Sequence, residues 1–131
     1  MMGIGVDIIQ ISSFEKQIRD TASVFVSGSF TPQEIQYAHS NVSNRPAQHL
    51  AVRYAAKEAF IKAWSSLHVG SAPILNNPVL TEIEVRNDVY GRPSIKLHGQ
   101  LLALVTGYSI NLSLSHDGDY SIATVLLERT S

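Results

Sequence analysis

The 131-residue chain contains no cysteine and little charge. The missing thiols exclude disulfides, thiolate metal ligands and a cysteine nucleophile, and they agree with a reducing compartment. Charged residues make up 16% of the chain, and ten basic against eleven acidic residues leave a net charge of −1. No whole-molecule field therefore draws the protein to nucleic acid or a membrane surface, and any anion site has to be local. No apolar run reaches the roughly 18 residues of a membrane span. The start, Met-Met-Gly-Ile-Gly-Val-Asp, has no basic region ahead of an apolar stretch, and Asp7 interrupts the only apolar run there. The expectation is a mature cytoplasmic protein. With 44% hydrophobic residues, residues 1–131 are enough for one domain with one core.

What is present orders itself by periodicity. Residues 3–9 alternate Ile4, Val6 and Ile8 with Gly3, Gly5 and Asp7, which predicts a buried strand with Asp7 on a face cleared by glycine. Ser12 or Ser13 is placed to cap a short helix to about residue 20, containing Phe14 and Ile18. Thr31-Pro32-Gln33-Glu34 is a capping box with proline at the first helical position, stapled by Phe30 and Ile35. The polar segment 40–46 should break that helix, and a long helix should follow from about residue 47 to residue 66. Residues 68–78 read as a loop. Residues 80–88 and 94–98 read as strands joined by the Tyr90-Gly91-Arg92-Pro93 turn, 99–107 as a helix, and 110–115 and 120–128 as two more strands. The order β-α-α-α-β-β-α-β-β implies an α+β domain in which a largely antiparallel sheet packs with a long central helix.

Residues 53–64, Arg-Tyr-Ala-Ala-Lys-Glu-Ala-Phe-Ile-Lys-Ala-Trp, carry the chemistry. At about 100° per residue, Arg53 and Lys57 fall between the apolar stripes Phe60/Trp64 and Leu50/Ile61, while Glu58 and Lys62 share a narrow strip. A helix apolar nearly all round is usually buried, and charge there is costly unless it is paired, metal-bound or facing a ligand. The plain alternative is a surface Glu58–Lys62 ion pair with Arg53 and Lys57 reaching out to water. Two carboxylates in apolar surroundings, Asp7 and Glu58, match the one or two that Mg2+ commonly takes from protein. Alternatively Asp7 caps a backbone group and Glu58 pairs with Lys62. Arg53, Lys57, Lys62, Arg92 and His116 are candidate anion partners, and Gly91 permits close approach of backbone to phosphate.

Five segments, taken together and in order, resemble the holo-acyl-carrier-protein synthases, small single-domain 4′-phosphopantetheinyl transferases. They are Gly3-Ile4-Gly5-Val6-Asp7-Ile8, Phe30-Thr31-Pro32-Gln33-Glu34, the run from Arg53 to Ala63, Asn87-Asp88-Val89-Tyr90-Gly91-Arg92-Pro93, and Ser113-Leu114-Ser115-His116. The resemblance implies that family's fold and a Mg2+-dependent transfer of the phosphopantetheine arm of coenzyme A to a serine of an acyl carrier protein or carrier domain. It further implies release of 3′,5′-ADP, a place in fatty acid biosynthesis, and a homotrimer with clefts between subunits. By the same resemblance Asp7 and Glu58 are Mg2+ ligands, Glu58 takes the serine proton, and Lys62 assists the departing phosphate. Arg53, Lys57 and His116 would anchor nucleotide phosphates, Gly91, Arg92 and Pro93 would shape the adenine end, and Lys16 and Arg19 would meet the carrier.

Two departures stand beside it. Ser65 to Ser71 replaces the glycine-rich segment that many relatives carry after the long helix, and Glu15 and Asp20 offset Lys16 and Arg19. Competing readings are a noncatalytic nucleotide-binding module and a Mg2+-dependent phosphohydrolase. The paired carboxylates argue against the first, and product analysis separates the second.

Overall fold

The computed structural model describes residues 1–40, 45–73 and 77–130. Parts of the expected 40–46 break and 68–78 loop lie outside the described residues. The elements run β1 (Met2–Gln10), α1 (Ile11–Ser29), α2 (Pro32–Ala38), α3 (Pro46–Ser66), a 3₁₀ turn (Leu80–Glu82), β2 (Ile83–Asn87), β3 (Pro93–Leu97), α4 (Gly99–Leu104), β4 (Tyr108–Asp117) and β5 (Tyr120–Arg129). The strands form two antiparallel sheets, one ordered β1-β5-β4 and the other the β2-β3 hairpin.

The long helix lies on the three-stranded sheet because both surfaces are stripped of bulk. Ala55, Ala56, Ala59 and Ala63 are fully buried on α3, against Ala123, Val125 and Leu127 of β5. A methyl group at Gly5 would collide with the Ala59 carbonyl and the Ala63 nitrogen, and one at Gly3 with the Ala63 carbonyl. Those two glycines set the helix-to-strand distance. A second cluster joins Ile11, Phe14, Phe30 and Leu50. Phe14 meets Tyr54 at 5.4 Å and Phe25 at 5.8 Å between ring centroids.

Three local expectations are corrected. The first strand is buried on its glycine face only; Ile4, Val6 and Ile8 are 64%, 51% and 62% exposed. The first helix continues to Ser29 because Phe25 packs on Phe14 and Tyr54. Neither Ser12 nor Ser13 caps it. The N-cap position is Gln10, without a side-chain bond, and Asp119 does the capping from the β4-β5 turn, accepting the Ser12 N–H at 3.0 Å and the Ser12 hydroxyl at 2.5 Å. Finally, residues 80–82 are a 3₁₀ turn, and the alternation expected around Glu84 fails because Ile83, Glu84 and Val85 are all buried.

Glu84 belongs to a buried polar network that ties α2, α3 and the β2-β3 hairpin together. Its carboxylate accepts from Thr31 Oγ1 at 2.7 Å and Arg86 Nε at 2.7 Å, with His98 Nε2 at 3.1 Å. Burial alone would raise its pKa, but these bonds and the Arg86 charge hold it down to about 2. A depressed carboxylate stabilises the fold above its unfolded pKa of 4.5, and that contribution is lost as pH falls toward 2. At roughly 1.4 kcal/mol per unit this amounts to at most about 3–4 kcal/mol. Urea unfolding should therefore show a steep loss of stability from pH 4.5 to 2 that is distinctly shallower in Glu84→Gln. Equal slopes for the two proteins would refute this.

Candidate active site

The site residues foreseen from sequence fall on opposite sides of α3. Arg53 and Glu58 are five positions apart, which turns them about 140° from one another. On the β1 side, Lys62 Nζ donates to Asp7 Oδ1 at 3.0 Å and to the Val6 carbonyl at 3.1 Å. The lysine thus pairs with Asp7 across the helix-strand contact, and the surface Glu58–Lys62 pair of the plain reading is replaced. Glu58 is partly buried beside them. Burial first, then the charge of Asp7, pushes its carboxyl above the usual carboxylate range, while Lys62 partly offsets this. The same two carboxylates help to raise the Tyr54 phenol, after burial.

A partly desolvated carboxylate raised by a second one beside it is a donor that a cation would relieve. Among the described residues no cluster of three or more His, Asp or Glu is placed to hold a metal ion. A hard cation can be held by one or two protein carboxylates when water and phosphate complete its shell.

On the other side of α3, Arg53, Gly91, Pro93 and His116 line one cavity of about 240 Å³ with Tyr37, His49 and Asn87. Among the described residues no carboxylate side chain lines it. Gly91 holds φ at +83°, and Asp88 fixes the turn by accepting from the Tyr90 and Arg92 N–H groups, both at 2.8 Å. Arg53 is 2% exposed. Its guanidinium bonds the His49 carbonyl at 3.1 Å and Asn87 Oδ1 at 2.5 Å and lies 4.4 Å from the Tyr37 ring centroid. Nε of Arg53 is buried without a partner. Burial pulls its pKa down, opposed by Tyr37 and Glu34. A buried guanidinium hydrogen-bonded only to neutral groups is costly unless a negative charge stands near it.

Lys57 is corrected. It is fully buried, and its ammonium group donates to Glu34 Oε1 at 2.9 Å and to the carbonyls of Leu80 at 2.9 Å and Ile83 at 2.5 Å. All three donors are used by protein, so it pins α2 and β2 to α3 and cannot reach a phosphate. Arg92 is not part of the cavity wall: its side chain is 75% exposed, 3.6 Å from Asp88 and stacked on Tyr90. Lys16 and Arg19 lie on the exposed side of α1, with Arg19 3.8 Å from Glu15. A larger cavity of about 640 Å³ between α1, α2 and α3 has walls of Ile18, Val26, Ile35 and Leu50. Its one arginine, Arg19, is spent on Glu15, which makes it a poor anion site.

Sequence reasoning missed Tyr37, His49 and Asn87 as cavity residues, and Glu34 and Glu84 as buried partners. Only Asn87 carried a signal, through its place ahead of the Asp88 turn.

Comparison with known proteins follows this geometry. A model of the 4′-phosphopantetheinyl transferase superfamily matches residues 3–125. The chain is 42% identical over 128 residues to a holo-[acyl-carrier-protein] synthase of Nocardia farcinica, covering 98% of this chain and 88% of that one. The apo acyl carrier protein synthase of Chronobacterium ammoniagenes superposes with a TM-score of 0.90 at 38% identity, covering 100% and 99% of the two chains. Its coenzyme A complex superposes at 0.87 and 38% identity, covering 98% of each.

Proposed function

This chain belongs to the 4′-phosphopantetheinyl transferase superfamily, within it to the holo-acyl-carrier-protein synthases, and from that premise we propose a Mg2+-dependent transfer of the phosphopantetheine arm of coenzyme A to a carrier serine, releasing 3′,5′-ADP. The observation that carries the reading is the pair of half-sites: a carboxylate pair with a lysine on one side of α3, and a buried, carboxylate-free cationic cavity on the other. Asp7 and Glu58 are the residues to hold Mg2+. When bound, the metal neutralises charge on the pyrophosphate and polarises its phosphorus. Glu58, with its raised pKa, takes the proton from the serine hydroxyl. Lys62, 55% exposed and resting on Asp7, stabilises charge on the departing phosphate. Arg53 and His116 hold nucleotide phosphate in the cavity, with Gly91 and Pro93 closing its wall. Arg92 reaches the nucleotide from the rim.

The half-sites face apart on one chain, so we place the complete cleft between subunits of a homotrimer, with Asp7, Glu58 and Lys62 of one protomer opposite Arg53 and His116 of the next. The exposed row Ile4, Val6 and Ile8, continued by Ile122 of β5 through the Ile8–Ile122 pairing, supports such an interface. Val6→Lys should reduce the mass in sedimentation from three times 14.3 kDa to a single chain and cut transfer at least as steeply, with helical circular dichroism kept. A variant that stays trimeric and active would sink the interface. The carrier is expected on α1 at Lys16 and Arg19, and the setting is the cytoplasm, with the product serving fatty acid biosynthesis.

The test of the reaction is intact mass. Incubation with coenzyme A, Mg2+ and an apo carrier protein should add one phosphopantetheine to the carrier and release 3′,5′-ADP. Appearance of free phosphopantetheine with an unchanged carrier would show a hydrolase instead.

A further inference from the structure

His49 sits one turn before Arg53 on α3 and lines the cationic cavity beside it. Its ring stands edge-on to Tyr37, 5.6 Å between centroids and 83° between planes. Its Nε2 is buried without a hydrogen-bond partner, as is the neighbouring Nε of Arg53. Two buried nitrogens without a hydrogen-bond partner in the wall of one cavity are a cost that an accepting ligand can relieve.

We propose that His49 is a third phosphate-facing group of this cavity, and that a nucleotide phosphate entering it draws a proton from solvent onto the His49 imidazole. The inference rests on the reading of the cavity as a nucleotide phosphate site. The groups facing His49 are Tyr37 from α2, Arg53 from its own helix and His116 from β4, with the uncharged Asn87 and Gly91 from the β2-β3 hairpin. In this cavity burial, then Arg53, then His116 hold the imidazole below its usual 6.5 and favour its neutral form. Entry of a phosphate reverses that balance: negative charge compensates Arg53 and His116 and favours the imidazolium. Affinity for the phosphate then rises as pH falls, and binding consumes a proton.

The test uses the full-length protein and 3′,5′-ADP, titrated by calorimetry at pH 7 in two buffers of different ionisation enthalpy and then across pH. Wild type should take up a fraction of a proton per site, and His49→Gln should take up less. His49→Gln should weaken binding roughly tenfold at pH 6, as when a hydrogen bond from a charged donor becomes a neutral one, and converge on wild type above pH 8, where both imidazole and amide are neutral. A deficit that is the same at every pH, or wild-type binding without proton uptake, would overturn the proposal while leaving the phosphate site standing. Arg53→Ala separates the two ideas, since unchanged 3′,5′-ADP affinity in that variant would remove the phosphate site and His49's role with it. Should His49→Gln fold poorly, His49→Asn and the wild-type proton uptake decide the matter.

Discussion

Glu58→Gln and Asp7→Asn should each slow modification of the carrier by roughly 10²–10⁴-fold, the range expected when an acid-base group is lost. Both changes keep shape and hydrogen-bonding capacity while removing one negative charge. Glu58 loses its ability to accept the serine proton, and Asp7 loses the charge that raises Glu58 and pairs with Lys62. Either change also leaves a hard cation with one anionic protein ligand in place of two, which weakens its hold. The fold should be nearly untouched, because the Lys62–Asp7 pair has its lysine 55% exposed and such pairs contribute about 1 kcal/mol or less. Rates are read by intact mass of the carrier across a Mg2+ titration, and melting is followed in parallel. If either variant melted like wild type and turned over at a similar rate, the assignment of the carboxylates would be abandoned.

Lys57→Met should produce the largest loss of stability of any single change on α3. The methionine fills the volume but leaves Glu34 charged and buried, with the Leu80 and Ile83 carbonyls short of a donor. Removing one partner of a buried pair costs about 3–5 kcal/mol. In a domain of this size that corresponds to a fall in melting temperature of roughly 10–20 °C. Pairing the change with Glu34→Gln removes the orphaned charge and keeps one of the two oxygens that accept separately from the Thr31 and Val85 N–H groups, so the double variant should be more stable than the sum of the two. A phosphate anchor would behave differently: Lys57→Met would raise the Michaelis constant for coenzyme A and leave the melting temperature alone. That outcome would reverse the correction made to Lys57.

Asp7, Glu58 and Lys57 show where sequence stops informing. Asp7 and Glu58 were legible because a carboxylate beside Gly5, or on a helix apolar nearly all round, conflicts with local burial, and such conflicts mark sites. Lys57 presents the same conflict to a sequence reader. Only the approach of Glu34 and the 80–83 carbonyls resolves it internally, and no periodicity encodes which buried charge finds its partner at a distance of 23 or 26 positions. Tyr37 and His49 were invisible for a related reason, and Asn87 signalled only the turn it precedes: each is ordinary in its own element, and a cavity exists only once α2, α3, the β2-β3 hairpin and β4 are assembled.

By itself the sequence determined the order of elements, the Thr31 capping box and the glycine face of β1, since these depend on backbone conformation and on side chains within a few positions. It also determined the family, through five ordered segments spread over the chain. Tertiary structure alone decided that α1 runs on to Ser29, that Asp119 caps it from 107 positions away, and that Ile4, Val6 and Ile8 face outward. Alternation tells which residues share a face of a strand but not which face the helix covers. That choice fell to Gly3 and Gly5, because α3 can approach only the side from which side chains are missing.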